Sequence, residues 1–256
     1  MAGRPEDRDA RVDLFHASAG ERTVPGIWHE NYWFRRHEVA YGLAGAVAAS
    51  LDHDDARAPL VVDAGCGEGY GAAVLAGIAA RVVALDYDGQ AMAHLATCYP
   101  ELSGIRGNLV GLPLADDTVD LVVSLQTLEH LWDPQAFIRE CGRVLRPGGR
   151  LLLSTPNRLT FPAGNVFHHR ELDADELADL LSTAFTGVSV SGVHHGARLR
   201  AWERRHGSIV DAQIASSPDQ WVSPLIDAVT SVTAADFDLR PDVADSQDLL
   251  AQAIAP

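Results

Sequence analysis

The chain has 256 residues, a formal net charge of −15 at pH 7 and 47% hydrophobic residues. That length and composition are sufficient for one large domain with a full core. The negative charge repels phosphate backbones, which argues against nucleic acid as a partner. The three cysteines, at positions 66, 98 and 141, form no C-x-x-C pair, so neither a disulfide framework nor a cysteine zinc site is expected.

The composition also bears on location. No apolar run approaches the roughly 20 residues that a membrane helix needs. Residues 1–11 are charged rather than signal-like. We therefore expect a cytoplasmic protein without a membrane span, whose residues 1–20 form a flexible tail.

The predicted elements alternate along most of the chain. Residues 29–50 have helical periodicity, with Trp33, Val39 and Ala40 on one buried face. Short apolar strands separated by helices then indicate a parallel sheet covered on both faces. The predicted strands are 60–63, 82–86, 103–106, 119–124, 150–154, 185–193 and 249–254, and the predicted helices are 70–78, 89–98, 134–145 and 174–182.

Residues 194–247 separate the last two predicted strands and are too many for a hairpin loop. We predict a helical insert there, either a cap over a substrate or an edge decoration without a ligand. The domain prediction is a single unit over 21–256 after the tail. Its parts are a helical lid (21–57), a cofactor-binding core (58–193), the insert (194–247) and the last strand (248–256).

Residues 61–71 read VVDAGCGEGYG and are the most informative segment. The apolar run predicts a buried strand that turns into a helix, and glycines at 65, 67 and 69 let a ligand approach the backbone. The dinucleotide pattern G-x-G-x-x-G/A fits Gly67, Gly69 and Ala72, but Gly65 already occupies the strand end where that pattern should begin. An acidic residue followed by G-x-G-x-G fits better.

A second acidic residue, Asp86, ends the next predicted strand, 21 positions after Gly65. A carboxylate there can accept hydrogen bonds from ribose hydroxyls. It therefore suits a nucleoside ligand whichever of the two glycine patterns applies. The alternative role is to cap the helix at 89–98, for which Asp88 is better placed.

The glycine segment resembles motif I of class I S-adenosylmethionine-dependent methyltransferases. The resemblance covers about residues 58–156 and implies a Rossmann-like α/β fold with a seven-stranded, mostly parallel sheet. It also implies S-adenosyl-L-methionine as the cofactor, with Asn108 in place of the usual acidic partner of the adenine. The implied cofactor-binding residues are Asp63, Ala64, Gly65, Cys66, Gly67, Gly69, Asp86, Tyr87, Asn108, Leu109 and Gln126.

The fourth predicted strand leads into Glu129-His130, a pair that is similar to one in many small-molecule methyltransferases. We predict that His130 is a general base oriented by Glu129, or alternatively that His130 only shapes the pocket. The Asn/Asp-Pro-Pro-aromatic tetrad of enzymes that methylate nucleic-acid amino groups is missing. The acceptor is therefore expected to be a small molecule or oligosaccharide.

Further acceptor contacts are predicted at Asn157 and Arg158, after the fifth strand, and at His168 and His169. Adjacent histidines in a loop rarely converge on one ion, so no metal site is predicted.

The aromatic and basic segment 29–37 is either a lid or an amphipathic helix on the sheet edge. As a lid, it would bring Tyr32 and Arg35 or Arg36 to the methionyl carboxylate.

A closer resemblance, to the actinobacterial mycofactocin oligosaccharide methyltransferase family, covers nearly all of 20–256. Its motifs are residues 21–25, 30–37, 63–71, 129–133, 154–158 and 206–214, with Val166 where that family has proline. This resemblance implies O-methylation of a glucose hydroxyl. The alternatives are methylation of a quinone-type hydroxyl or an amine, an NAD(P)-dependent oxidoreductase, and a non-catalytic binder. The oligomeric state is not predicted.

Overall fold

The computed structural model describes residues 23–51, 58–78 and 81–256. The predicted flexible tail, 1–20, lies outside these ranges. Eight strands form one sheet in the order β3-β2-β1-β4-β5-β8-β6-β7. They are β1 Leu60–Ala64, β2 Arg81–Asp86, β3 Ser103–Arg106, β4 Val119–Leu125, β5 Leu145–Pro156, β6 Thr186–His195, β7 Phe237–Arg240 and β8 Asp248–Ile254.

The first five strands pair in parallel, whereas β8 runs antiparallel between β5 and β6. This mostly parallel α/β sheet confirms the predicted fold class. The predicted strand count of seven is one too low, because β7 pairs antiparallel with the outer edge of β6. β7 has only four residues, two of them charged, so its sequence carries little strand signal. Its formation depends on β6, which continues to His195 and leaves an edge to pair with.

The described ranges contain eight α-helices that cover both faces of the sheet. Asp88, Asp133 and Asp173 each accept a backbone N–H at the start of a helix, which explains why those starts could be predicted. The helices are α1 Asn31–Ala49, α2 Tyr70–Ala76, α3 Gly89–Cys98, α4 Pro134–Val144, α5 Ala174–Ser182, α6 Ala197–His206, α7 Ile209–Ile214 and α8 Ser223–Ser231. None of them is long and apolar enough to cross a membrane.

The core lies on the two sides of the sheet. One cluster joins α1, α2 and the helices of the segment 194–247, and includes Tyr41, Leu75 and Leu225. The other lies under α4 and α5 and includes Phe137 and Leu177. Helices from the segment 194–247 thus pack on the same face as α1.

Helix α1 buries a stripe at four-residue spacing that runs through Tyr32, Arg36, Ala40 and Ala44. The predicted face was centred on Trp33, Val39 and Ala40, of which only Ala40 is fully buried. The difference arises because a charged residue, Arg36, lies inside the stripe.

Candidate functional site

The loop after β1 has the backbone conformation that its glycines allow. Gly65, Gly67 and Gly69 have φ of 83°, 51° and 89°, a region that other residues rarely adopt. A Cβ on Gly65 would lie 2.4 Å from Oγ1 of Thr127, whereas a Cβ on Gly67 would meet no atom of the described residues within 4 Å. Gly65 therefore allows the β1 and β4 loops to touch, and Gly67 faces open space where a ligand can approach.

Asp86 holds this loop in place. Its Oδ2 accepts a hydrogen bond from the Gly67 N–H at 2.9 Å, and its Oδ1 accepts one from the Asp88 N–H at 2.9 Å. Each carboxylate oxygen retains a second lone pair for a further donor, such as a ribose hydroxyl. The helix-capping role belongs to Asp88, which accepts the Gln90 N–H.

Asp63 is fully buried at the end of β1. Burial raises its pKa to about 7, although the Tyr41 hydroxyl donates to its Oδ2 from 3.3 Å and opposes that effect. A buried carboxyl with a raised pKa is stabilised in its ionised form by a nearby cation, because the cation offsets the cost of the buried charge. Ala64 and Cys66, beside it in the loop, are also buried.

The residues predicted to surround the adenosine lie after β2 and β3. Tyr87 is 70% exposed, and Leu109 is buried. Asn108 is exposed, but its side-chain oxygen accepts the Val110 N–H at 3.1 Å and so shapes its own turn. Its second lone pair remains for a ligand.

Gln126, at the end of β4, has φ of 51° although it is not glycine. This conformation costs about 1–2 kcal/mol for an L-residue, and such strain is concentrated at functional sites. Its backbone N–H donates to the Ser154 carbonyl at 2.9 Å, and its side-chain amide donates to the Ser154 hydroxyl at 3.2 Å. The strained residue thus ties the ends of β4 and β5 together.

Glu129 and His130 lie on a short 3-10 helix, Leu128–His130, that follows β4. Glu129 is buried, which raises the pKa of its carboxyl, and its Oε2 accepts the Thr155 hydroxyl at 2.9 Å. The Nδ1 of His130 lies 3.0 Å from the Phe167 carbonyl oxygen. Because a carbonyl only accepts, Nδ1 carries the hydrogen and Nε2 keeps a lone pair.

The two adjacent histidines have different environments. The His169 ring stacks on Trp132 with centroids 3.7 Å apart, and Trp132 is 87% exposed. The His168 ring instead lies edge-on to His130, with centroids 5.0 Å apart. The loop that carries the two histidines is held against the turn after β4, because the Glu129 carbonyl accepts the His169 N–H at 2.7 Å.

Glu129, His130 and His168 come close enough to share one ion. Each offers one ligand atom, and these atoms lie within 4.8 Å of one another. The metal prediction weighed only the neighbouring histidines, and it did not include this group because Glu129-His130 and His168 follow different strands. The sequence signal for the group is that the fourth and fifth predicted strands end at the same edge of the sheet.

Asn157 and Arg158 both have partners within the fold. Asn157 is buried, and its side-chain amide donates to the Val243 carbonyl at 2.9 Å. Arg158 forms ion pairs with Asp173 and Glu176. Asn157 would have to give up these bonds to contact an acceptor, whereas Arg158 is 46% exposed and can reach one while it stays paired.

The predicted carboxylate-binding residues of α1 are also engaged elsewhere. Tyr32 is fully buried, and its hydroxyl is 2.7 Å from Nε2 of His195. Arg35 pairs with Glu38 at 2.8 Å. A cofactor could reach Tyr32 only after its contact with His195 opened.

The site nevertheless fits S-adenosylmethionine. The open space at Gly67, the carboxylate of Asp86 and the ends of β1, β2 and β4 lie at one edge of the sheet, where open α/β folds bind nucleosides. The Gly65–Thr127 approach places the Glu129-His130 turn next to the glycine loop.

Known proteins agree with this geometry. A family model described as a methyltransferase domain matches residues 62–153. A probable S-adenosylmethionine-dependent methyltransferase of Mycolicibacterium smegmatis is 49% identical over 250 residues, or 93% of this chain and 94% of that protein. One of Mycobacterium tuberculosis is 47% identical over 93% of this chain and 89% of its own length.

The fold comparison gives the same result. The structure of an S-adenosylmethionine-dependent methyltransferase from Thermotoga maritima matches with a TM-score of 0.58 at 17% identity, over 88% of this chain and 93% of that one. This match shows the fold, and the near full-length relatives identify the cofactor and the reaction class. The chain belongs to the class I S-adenosylmethionine-dependent methyltransferases.

Proposed function

We propose that this enzyme transfers the methyl group to a sugar hydroxyl, with a glucose of the mycofactocin oligosaccharide as the acceptor. The observation that carries the proposal is the 3.0 Å contact between His130 Nδ1 and the Phe167 carbonyl oxygen, which leaves a lone pair on Nε2 near the buried Glu129. A hydroxyl acceptor needs a group that promotes loss of its proton, and this atom can accept it. The sugar and the glycan follow from the resemblance to the mycofactocin family.

S-adenosylmethionine supplies a methyl group on a sulfonium, and transfer leaves the bonding electron pair on sulfur and releases the acceptor's proton. The chain's own task is to bind, to align and to handle that proton. Holding two reactants in line can supply effective molarities on the order of 10⁵–10⁸ M. The glycine loop and Asp86 hold one reactant, and the turn after β4 is positioned to hold the other.

His130 is the proposed proton acceptor. General base catalysis contributes roughly 10²–10⁴-fold, and the hydrogen bond from Nδ1 to the Phe167 carbonyl fixes the tautomer that this role needs. Glu129 Oε1 lies 4.0 Å from Nε2, close enough to stabilise the imidazolium that proton transfer creates. His130 is partly exposed, so an acceptor can reach it.

The acceptor side contains an exposed aromatic surface formed by Trp132 and His169. A flat aromatic face suits the apolar face of a pyranose ring, so this surface supports a sugar over a charged acceptor. We assign the sugar contact to these two residues. The helices of the segment 194–247 are the proposed cap that selects the glycan.

The test combines binding with product analysis. Calorimetry with S-adenosylmethionine, S-adenosylhomocysteine and NAD should show heat for the first two only. Incubation with S-adenosylmethionine and an oligoglucoside, a quinone-type phenol or an amine should add one CH₂ unit, by mass spectrometry, to the oligoglucoside alone. Methylation of the phenol or the amine instead would replace the sugar proposal, and binding of NAD alone would overturn the cofactor assignment.

A further inference from the structure

We propose that Glu129, His130 and His168 bind one divalent first-row transition cation at the acceptor end of the site. What the cation does there rests on the proposed function.

The donor set comes from two segments that the backbone joins. Glu129 and His130 are on the turn after β4, and His168 is on the loop after β5. The Glu129 carbonyl accepts the N–H groups of His169 at 2.7 Å and Arg170 at 3.4 Å. These bonds fix the loop against the turn, so the three ligand atoms, all within 4.8 Å of one another, are held in place before an ion arrives.

Both imidazoles have the orientation of metal ligands. In metal sites, a ligating histidine usually donates its other N–H to a carbonyl or carboxylate, which fixes the tautomer. His130 Nδ1 lies 3.0 Å from the Phe167 carbonyl oxygen, and His168 Nδ1 lies 2.8 Å from Oε1 of Glu171. Each ring therefore has its lone pair on Nε2.

The third ligand, Glu129, is anchored in the same way. Its Oε2 accepts the Thr155 hydroxyl at 2.9 Å, while its Oε1 is the oxygen near Nε2 of His130, at 4.0 Å. The Glu129 side chain is 1% exposed and that of His130 is 31% exposed. A buried carboxylate that faces two imidazoles gains from a cation, and the exposed side of His130 gives the ion a route in.

The side-chain amide nitrogen of Asn165 lies 3.3 Å from His168 Nε2. This is a long contact for a hydrogen bond. A cation would take the place of this contact with a shorter and stronger bond to Nε2.

The ligand types select the ion. Two imidazoles with one carboxylate suit Zn²⁺, Fe²⁺, Co²⁺ and Mn²⁺, whereas Mg²⁺ and Ca²⁺ prefer sites made of oxygen alone. Three protein ligands leave at least one position open, as in catalytic rather than structural sites. The open position is available to an acceptor hydroxyl.

A cation here would change how the acceptor's proton leaves. It would occupy the Nε2 lone pair of His130, so the imidazole would no longer take the proton itself. A hydroxyl oxygen at the open position ionises more readily because the cation withdraws charge from it. The O–H bond breaks with release of the proton to water, the O–CH₃ bond forms, and the electron pair of the broken C–S bond stays on sulfur.

The binding test uses the full chain, stripped with EDTA and titrated with Co²⁺, whose visible absorption reports imidazole coordination. Metal content after dialysis against Zn²⁺ gives the stoichiometry, expected to be one per chain. His168→Ala should weaken binding at least 100-fold, and Glu171→Gln, which removes the carboxylate behind His168, should weaken it 10–100-fold. The matched control is His169→Ala, expected to bind as tightly as the wild type.

Far-UV circular dichroism and S-adenosylmethionine binding show that each variant is folded. Glu171→Gln is a mild change at a partly exposed side chain, so it keeps the test decisive if His168→Ala does not fold. Absence of the Co²⁺ spectrum, or equal affinity in the His168 and His169 variants, would overturn the metal site. If stripped enzyme still methylates the oligoglucoside at full rate, the metal role fails and the proposed function survives. If metal binds but S-adenosylmethionine does not, the proposed function fails and the metal site survives.

Discussion

The Nε of Arg36 lies 2.9 Å from Oδ2 of Asp248, and both side chains are almost completely buried. This ion pair joins α1, the first described helix, to β8, the last strand of the sheet. Burial raises the pKa of Asp248, and both Arg36 and the side chain of Gln126, the strained residue at the end of β4, oppose that rise. The pair therefore holds α1 beside the site, and Arg36 is already committed to the fold rather than to a cofactor carboxylate.

Loss of this pair should destabilise the protein. Arg36→Met leaves Asp248 buried without its cation, which typically costs about 3–5 kcal/mol. Urea unfolding should show this loss, and the double variant Arg36→Met, Asp248→Asn should recover part of it. Arg35→Met is the control, because Arg35 has a half-exposed partner and such pairs contribute about 0–1 kcal/mol. Equal losses in the two single variants would show that the buried pair has no special role.

Gly67→Ala should abolish cofactor binding without unfolding the protein. Its Cβ would enter the open space of the glycine loop, and the positive φ adds roughly 1–2 kcal/mol of strain. Gly148→Ala is matched to it, because φ is 77° and its Cβ would also meet no atom of the described residues within 4 Å, but Gly148 lies near the start of β5. Calorimetry should show S-adenosylmethionine binding to the Gly148 variant only. Binding to both would place the cofactor elsewhere.

His130→Ala should lower kcat by roughly 10²–10⁴-fold while the Kd for S-adenosylmethionine stays within about twofold. The reason is that the change removes the group that promotes proton loss and leaves the glycine loop intact. Steady-state kinetics and calorimetry on the same preparation separate the two effects. His206→Ala, at the exposed end of α6, controls for loss of a histidine. Wild-type turnover in the His130 variant across pH would remove this residue from the chemistry.

Substitutions at two exposed aromatic residues should affect the KM values of the two substrates differently. Trp132→Ala should raise KM for the sugar acceptor about 3–10-fold, equivalent to about 0.7–1.4 kcal/mol, and leave KM for S-adenosylmethionine unchanged. Tyr87→Ala should do the reverse, because Tyr87 follows Asp86 at the end of β2. Both side chains are more than two-thirds exposed, at 87% and 70%, so neither variant should lose much stability. If either variant raised both KM values equally, the assignment of Trp132 to the acceptor and of Tyr87 to S-adenosylmethionine would be contradicted.

The stability of the free enzyme should fall as pH rises through the range in which Asp63 ionises. Burial raises its pKa from 3.8 to about 7, so the folded state holds a proton that the unfolded state has lost. The Asp63 contribution is therefore complete below about pH 4 and is lost as pH passes 7, by at most about 4 kcal/mol.

Denaturant unfolding from pH 4 to 8 measures this effect as the difference between the wild type and Asp63→Asn, which cannot ionise. The stability of the wild type relative to Asp63→Asn should fall steadily as pH rises. Asp219→Asn, at an exposed position, should run parallel to the wild type. A constant difference between wild type and the Asp63 variant would mean that the carboxyl ionises normally in the fold.

The sequence by itself determined the alternation of strands and helices, the glycine loop and the reaction class. These depend on local rules: apolar runs, capping aspartates such as Asp88, and glycines that adopt positive φ. Because the carboxyl ends of parallel strands share one edge of the sheet, the predicted strands also placed Asp86 and Gln126 at the same edge as the glycine loop. Tertiary structure alone decided the eighth strand, because β7 forms only against the free edge of β6.

Tertiary structure also decided which polar side chains have partners within the fold. Asn157, Arg158, Tyr32 and Arg36 carry the right chemistry for a site, yet the fold uses each to hold another element. His168 and His169 look equivalent in the sequence, but one joins Glu129 and His130 and the other stacks on Trp132. Local patterns specify residue types and elements, whereas the direction of a side chain depends on partners that are distant in the chain.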